Sequence, residues 1–132
     1  MADGLDERIQ AIRRRDPRYG RRAYDFVLDA LDFTLERMKE AGRRERHISG
    51  KELLRGIRDL ARERFGPMAK EVFHQWGVRC TEDFGEIVFN LVGEGLLQRR
   101  AQDSRKDFAD GFDFEREFER GYRLKVPWEE TA

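Results

Sequence analysis

Residues 49–100 read SGKELLRGIRDLARERFGPMAKEVFHQWGVRCTEDFGEIVFNLVGEGLLQRR, and this stretch decides the fold. Ser49 and Glu52 match a capping box, which starts a helix because each side chain bonds a free backbone amide of the first turn. The apolar residues behind the box recur at helical spacing: Leu53, Leu54, Ile57, Leu60, Ala61 and Phe65. The spacing predicts an amphipathic helix that ends at Gly66.

Two further helices are predicted in the same stretch. Pro67 suits the start of the second helix, because a missing amide costs nothing at the first helical position, and Gly77 suits its end. The inner face of this helix is predicted to hold Met68, Val72, Phe73 and Trp76. Thr81 is predicted to cap the third helix, which buries Phe84, Ile87, Val88, Leu91 and Val92 and stops at Gly93. Three helices followed by an extended run over residues 96–100 are typical of a winged-helix module.

The segment before this module predicts a pair of helices over residues 5–41. Leu5, Ile9 and Ile12 form the apolar stripe of a first helix. Asp16 is predicted to cap the second helix, with Pro17 at its first position. The second helix carries a wide apolar face, which predicts that it packs against the stripe of the central module. Its members are Tyr24, Phe26, Val27, Leu28, Ala30, Leu31, Phe33, Leu35 and Met38.

The segment behind the module predicts a short antiparallel β-hairpin and a last helix. Phe108, Phe112 and Phe114 lie two or four residues apart, which suits one apolar face of a strand, and Asp110-Gly111 suits a turn. Asp113 is predicted to cap a short helix that opens residues 115–132. The tail carries Leu124, Val126 and Trp128, and is predicted to dock on the domain or on a partner.

The fold class that follows is mainly α, of the α+β type, in a single domain over residues 1–132. It has about five helices around the winged-helix-like three-helix module of residues 49–114, with the short hairpin as its β part. Its 132 residues suffice to bury a core.

The amino-acid composition disfavours several classes of function. Charged residues make up 41% of the chain, but 27 basic and 27 acidic side chains cancel, so no global field attracts nucleic acid or an anionic membrane. No apolar run approaches the length that a bilayer requires, and residues 1–10 lack the hydrophobic core of a secretion signal. A single cysteine, Cys80, fits a reducing cytoplasm. A cytoplasmic protein without a membrane segment is expected.

Arginines give the densest positive cluster, near the N-terminus: Arg13, Arg14, Arg15, Arg18, Arg21 and Arg22. Guanidinium groups suit phosphate oxygens, so the cluster is a candidate nucleic-acid or phosphate contact, together with the predicted wing residues Arg99, Arg100, Arg105 and Lys106. The alternative, which we favour, is a solvated helix junction whose arginines pair with carboxylates such as Asp25 and Asp29.

The third helix of the module is where a DNA-binding protein places its recognition residues. Its predicted outward positions are instead Glu82, Asp83, Glu86 and Asn90, with Glu94 just beyond, and residues 81–95 contain no Lys or Arg. Phosphates would be repelled by this surface. With Trp128, these positions form a candidate protein-docking face; the alternative is a packed scaffold with a charged outer side.

The sequence contains no residue spacing that clearly matches a metal site or a catalytic motif. Asp103, Asp107, Asp110, Asp113 and Glu117 do not fit the register of a calcium-binding EF-hand, because Lys106 and Phe108 would fall on its first ligand positions. His74 and Cys80 are too few for a zinc site, although the position of Cys80 before a helix favours a somewhat lowered thiol pKa. No cofactor is expected, and an enzyme would need a pocket at His74, Cys80 or Tyr24.

The chain resembles a family of short bacterial proteins whose function is uncharacterised. The resemblance rests on DPRYGRRAYDFVLDAL (residues 16–31), on RHISGKELLRGIRDLARERFGPMAKEVFHQWGVRCTEDFGEIVFNLVGEGLL (46–97) and on DSRKDFADGFDFEREF (103–118). It implies a recurring domain of the bacterial cytoplasm but no activity, cofactor or catalytic residue.

The sequence therefore favours a non-enzymatic protein-interaction or adaptor domain with an unknown protein partner. The alternative is a nucleic-acid-binding regulator that uses the arginine cluster and the basic wing. The acidic third helix disfavours the alternative, whereas self-association stays open.

Overall fold

The computed structural model describes residues 2–43, 48–97 and 105–120. Five α-helices occur in these residues: α1 (Ala2–Arg15), α2 (Arg21–Glu40), α3 (Gly50–Phe65), α4 (Ala69–Gln75) and α5 (Thr81–Gly93). Two 3-10 turns, Gly66–Met68 and Arg105–Phe108, and a π-helix, Glu115–Arg120, complete the helical structure. The mainly α prediction is thus confirmed. No helix in the described ranges is long and apolar enough to cross a membrane.

The β part of the prediction is not found: no strand occurs in the described ranges. The strand predicted through Phe108, Phe112 and Phe114 is wrong. Phe108 ends a 3-10 turn, and Phe114 opens a helical segment that continues through Phe118. Phe108, Phe114 and Phe118 are buried in the core, whereas Phe112 lies in the loop between the two helical segments and is half-buried. The predicted wing residues Arg99 and Arg100 lie outside the described residues, as does Trp128.

Three predictions about the ends of the central helices can be compared with the structure, and two of them are confirmed. Ser49 and Glu52 form both bonds of the predicted capping box. Gly77 has the predicted left-handed conformation with φ +89°. Thr81, however, is the first residue of α5 and not its cap, because Cys80 takes the cap position and the Thr81 hydroxyl bonds elsewhere.

The second helix begins later than predicted. Residues 16–20 form a turn, and α2 starts at Arg21 with Gly20 as its cap, so Asp16 does not cap it. The Asp16 carboxylate is instead occupied by the Arg18 guanidinium, whose Nε donates to Oδ1 at 2.8 Å. The prediction that α2 packs on the central module is confirmed, since α2 and α3 approach closely where a Cβ at Gly56 would overlap Thr34 Oγ1.

Phe73 of α4 lies at the centre of the core and is fully buried. Its ring centroid lies between 5.1 and 6.4 Å from six other aromatic rings, those of Phe26, Phe65, Trp76, Phe84, Phe114 and Phe118. Met68 was predicted on the same inner face, but it is 58% exposed because the 3-10 turn carries it away from the core. Aromatic packing around one residue thus joins α2, α3, α4, α5 and the segment after residue 113.

Candidate functional site

The loop over residues 108–112, called here the Gly111 loop, is held by the first turn of α5. The Thr81 hydroxyl donates to the Phe108 carbonyl at 2.6 Å and accepts from the Gly111 amide at 3.0 Å. The Glu82 carboxylate accepts from the Asp110 amide at 3.2 Å. Three hydrogen bonds to two neighbouring side chains fix the course of the loop. They also hold Asp110 in the left-handed region, at φ +49°.

Gly111 lets this loop lie directly on α3. A Cβ at this position would overlap Leu54 Cδ2 and would lie 3.3 Å from the Thr81 side chain. A glycine therefore suits the close approach of the loop to the Leu54 side chain of α3, which would have to shift to accommodate a larger residue. The loop forms a wall between two cavities of opposite character.

The larger cavity, called here the acidic groove, lies between the start of α5 and the segment after the Gly111 loop and measures about 550 Å³. Phe112 and Phe114 form its apolar part, with ring centroids 5.7 Å apart. The charged groups around it are Arg79, Glu82, Asp110, Asp113, Arg116 and Glu117. Carboxylates therefore outnumber guanidinium groups, and Glu117 is itself paired with Arg62.

The second cavity, called here the basic cavity, lies on the α3 side of the loop and measures about 310 Å³. Its lining residues are Lys51, Leu54, Arg55, Arg58, Asp107, Ala109, Asp110, Gly111 and Phe112. The three cations lie at positions i, i+4 and i+7 of α3, so helical geometry places them on one side of that helix. These three cations are not among the site residues predicted from the sequence, although their spacing along the helix is a usable signal.

A third cavity of about 280 Å³ lies where α2 meets α3 and shares Arg55 and Arg58 with the basic cavity. Its other charged groups are paired. Arg37 bonds Asp59 at 2.7 Å, and Arg43 bonds Glu52 at 2.5 Å. The Arg43 guanidinium holds the pKa of Glu52 below its usual value. The third cavity is thus bounded by ion pairs.

The N-terminal arginine cluster divides into two halves. Arg15 pairs with Glu94 at 3.0 Å, Arg18 with Asp16 at 2.7 Å, and Arg21 with Asp6 and Asp25. The other half consists of Arg13, Arg14 and Arg22, which are exposed and form no ion pair with the described part of the chain. Pairing with Asp25 was among the expected contacts, whereas Asp29 pairs with Arg64 of α3 instead.

The side of α5 predicted to point outward faces the α1–α2 turn. Arg18 reaches Glu86 at 3.2 Å, and Asn90 donates to Asp16 Oδ2 at 3.0 Å. The Tyr19 hydroxyl donates to Asp83 Oδ1 at 2.6 Å. The prediction of an outward orientation is therefore wrong for Asp83, Glu86 and Asn90, which are half-buried.

Two pKa shifts follow from this packing. Burial, together with the bond to Asp83, raises the pKa of Tyr19 far above its usual value. Hydrogen bonding to Arg18 holds the pKa of Asp16 well below its usual range. Both groups therefore keep their ordinary charge state at neutral pH. Among the docking residues predicted on α5, Glu82 alone is exposed, and it lines the acidic groove.

Cys80 does not have the lowered pKa that its position suggested. Burial raises the thiol pKa, and the neighbouring Asp83 and Glu82 carboxylates raise it further. The exposed thiol is thus held in its protonated form. His74 lies in the last turn of α4 and lines none of the three cavities. In the described ranges, no group of three His, Cys, Asp or Glu side chains is arranged to hold a metal ion.

Comparisons of the chain with protein-family models, curated proteins and solved structures find no match. The resemblance to the family of short bacterial proteins therefore stays a prediction. The geometry of the two cavities beside the Gly111 loop is the basis for assigning a function.

Proposed function

We propose that this protein is a non-enzymatic interaction domain that binds a basic peptide segment of a partner protein in the acidic groove. The observation that carries the proposal is the groove itself, which combines two aromatic rings with a mainly acidic rim on a fixed backbone. A bacterial cytoplasmic location is part of the proposal, since the single exposed thiol fits a reducing compartment.

The apolar contact is expected to come from Phe112. Its side chain is partly exposed, whereas Phe114 beneath it is buried at 5% exposure. An aliphatic or aromatic side chain of the partner that covers Phe112 would remove apolar surface of both molecules from water. This contact supplies affinity but little selectivity among apolar residues.

Charge supplies the selectivity. The rim has four carboxylates, of Glu82, Asp110, Asp113 and Glu117, against the two guanidinium groups of Arg79 and Arg116. A Lys or Arg beside the apolar residue of the partner would be attracted, and an acidic neighbour would be repelled. The hydrogen bonds that hold the Gly111 loop keep this rim in place before binding, which lowers the entropic cost of association.

The test is a fluorescence-anisotropy titration with two labelled peptides that share a central Leu-Trp pair, flanked by Lys in one and by Glu in the other. The Lys peptide should bind more tightly, and Phe112→Ala should weaken it at least fivefold. Glu82→Gln keeps an oxygen that can accept from Asp110 but removes the charge, and is expected to weaken binding about two- to fivefold.

Glu36→Gln is the matched control, because Glu36 is exposed on α2 and does not line the groove. Equal binding of the two peptides, or equal losses in Glu82→Gln and Glu36→Gln, would overturn the proposal.

A second candidate is nucleic-acid binding through Arg13, Arg14 and Arg22. It is favoured by the exposure of these three guanidinium groups and by their lack of an ion-pair partner in the described part of the chain. A winged-helix-like arrangement of α3, α4 and α5 belongs to this second proposal only, since the described residues contain no wing strand.

The test is anisotropy with mixed-sequence DNA and RNA across a salt series. Three phosphate contacts should give a slope of log K against log salt of about −3. In the double variant Arg13→Ala/Arg14→Ala, the slope should become shallower, at about −1. Arg64→Ala, which removes a guanidinium already paired with Asp29, should leave the slope unchanged. Absence of binding at low salt would exclude this candidate.

A further inference from the structure

The basic cavity brings three cations together on one wall, and two of them form no ion pair within the described part of the chain. Lys51 and Arg55 are exposed and form no ion pair with the residues that the structure describes. Arg58 is held by its Nε, which donates to Asp59 Oδ1 at 3.0 Å, and its two terminal nitrogens form no bond with those residues. The positive groups are therefore available to a bound anion.

The opposite wall is acidic and apolar. Asp107 and Asp110 come from the segment around the Gly111 loop, and Phe112 and Leu54 supply apolar surface. Asp107 lies close to the start of α3, because a Cβ at Gly50 would be 2.6 Å from the Asp107 Cβ. A ligand that spans the cavity must present an anion to α3 and hydrogen-bond donors to the carboxylates.

We propose that the basic cavity binds a phosphorylated small molecule with a planar ring, of the class of the nucleoside monophosphates. The phosphate lies against Lys51, Arg55 and Arg58, because guanidinium forks bind phosphate oxygens by charge-assisted hydrogen bonds. Sugar hydroxyls or an exocyclic amine donate to Asp107 and Asp110. The ring covers Phe112, since planar rings pack favourably in offset stacks on aromatic side chains.

Size and charge limit the ligand further. A volume of about 310 Å³ lies at the lower end of small-molecule sites, which suits a mononucleotide rather than a dinucleotide. Two carboxylates oppose three cations, so a ligand with only one anionic group is favoured over a triphosphate. Inorganic phosphate lacks the donors and the ring that the second wall accommodates. This site shares one wall with the acidic groove, because Asp110, Gly111 and Phe112 line both cavities.

The experiment is isothermal titration calorimetry of the full chain with AMP, GMP, CMP and UMP. The four corresponding nucleosides and inorganic phosphate are the probes that carry one half of each ligand. At least one nucleotide should bind saturably, and its two halves should bind at least tenfold more weakly. Arg55→Ala should weaken the nucleotide at least tenfold, and Arg55→Lys should weaken it less.

Lys39→Ala is the matched control, since Lys39 is exposed on α2 and lines none of the three cavities. Circular dichroism of each variant verifies folding, and a titration of Lys51→Ala replaces Arg55→Ala if that variant does not fold. The proposal is overturned if no nucleotide binds, if phosphate alone binds as tightly, or if the Arg55 and Lys39 variants lose affinity equally. It is also overturned if a single-stranded oligonucleotide binds while all mononucleotides fail.

Discussion

Tyr19 donates its hydroxyl hydrogen to Asp83 Oδ1 at 2.6 Å, and so connects the α1–α2 turn to α5 through a buried phenol. The second oxygen of Asp83 accepts from the Arg79 amide at 2.8 Å, which orients the carboxylate from the other side. One acidic residue thus fixes the turn before α2 and the turn before α5.

Tyr19→Phe is therefore expected to destabilise the protein. The substitution keeps the buried ring but removes a hydrogen bond to a charged acceptor, at a cost of about 1–3 kcal/mol in the free energy of unfolding. Urea denaturation monitored by circular dichroism measures this change. Asp83→Asn should cost at least as much as Tyr19→Phe, because both carboxylate oxygens accept hydrogen bonds and an amide nitrogen cannot replace either. A Tyr19→Phe variant as stable as the native protein would contradict the assigned bond.

The buried phenol of Tyr19 also makes the stability of the folded protein decrease at alkaline pH. Because burial raises the pKa of Tyr19, the folded state favours the neutral phenol. The resulting stabilisation is fully present below the pKa of an unfolded tyrosine, about 10, and is lost as pH rises above it. The melting temperature of the native protein should fall more steeply above this pH than that of Tyr19→Phe. Parallel curves for the two proteins would show that Tyr19 does not titrate differently on unfolding.

The Asp16 carboxylate makes the stability of the folded protein decrease at acidic pH. Hydrogen bonding to Arg18 depresses its folded-state pKa, so its contribution to stability is present above the unfolded value of about 3.9 and is lost as pH falls below it. Asp16→Asn should be less stable than the native protein at pH 7, and the difference should shrink towards pH 2. Thermal unfolding across this range measures it, with Asp32→Asn, an exposed aspartate of α2, as the control.

Gly111→Ala should disturb both cavities at once. The added methyl would overlap Leu54 Cδ2, so either the loop or the core must shift, at a cost of about 1–3 kcal/mol. The matched control is Gly4→Ala in α1, where a methyl meets no atom within 4 Å and should stabilise the helix by up to about 1 kcal/mol. Urea denaturation of the two variants should give changes of opposite sign. Equal stability of Gly111→Ala and the native protein would mean that the loop does not lie on α3 as described.

Phe73→Ala should be the most damaging single truncation in the core. It removes a fully buried ring that contacts six others, and a loss of about 3–5 kcal/mol is expected from the cavity that remains. Met68→Ala, at an exposed position of the neighbouring 3-10 turn, should change stability by less than about 0.5 kcal/mol. Differential scanning calorimetry of the two variants is the measurement. Comparable melting temperatures would place Phe73 outside the core.

Features that depend on neighbours in sequence were predictable. The capping box of Ser49 and Glu52 and the left-handed Gly77 each require only a few adjacent residues, and both are observed. The strand through Phe108, Phe112 and Phe114 was wrong because the spacing alone does not define a strand: Phe108 ends a 3-10 turn, Phe112 lies in the loop, and Phe114 begins the next helical segment. Burial against Gly85 and Phe73, which lie far away in sequence, decides the conformation of these residues.

The candidate sites were less predictable for the same reason. Glu86 and Asn90 were read as outward-facing because their partners Arg18 and Asp16 are 68 and 74 residues distant, and no local pattern connects them. Lys51, Arg55 and Arg58 did share a face of α3 in the sequence. Their site requires the opposite wall from the Gly111 loop, and a long-range contact supplies that wall.

The backbone amide of Gly20 donates to the Trp76 carbonyl at 2.9 Å, and Gly77 lies so near Arg18 that a Cβ there would overlap the Arg18 carbonyl oxygen. A fragment that began at residue 49 would contain α3 to α5 complete, yet this carbonyl, Asp83 and Asn90 would lose the hydrogen-bond partners that residues 16–24 supply. We therefore expect that the shortest fragment able to fold includes the turn at residues 16–20. Limited proteolysis should leave this turn intact for as long as α5 resists cleavage.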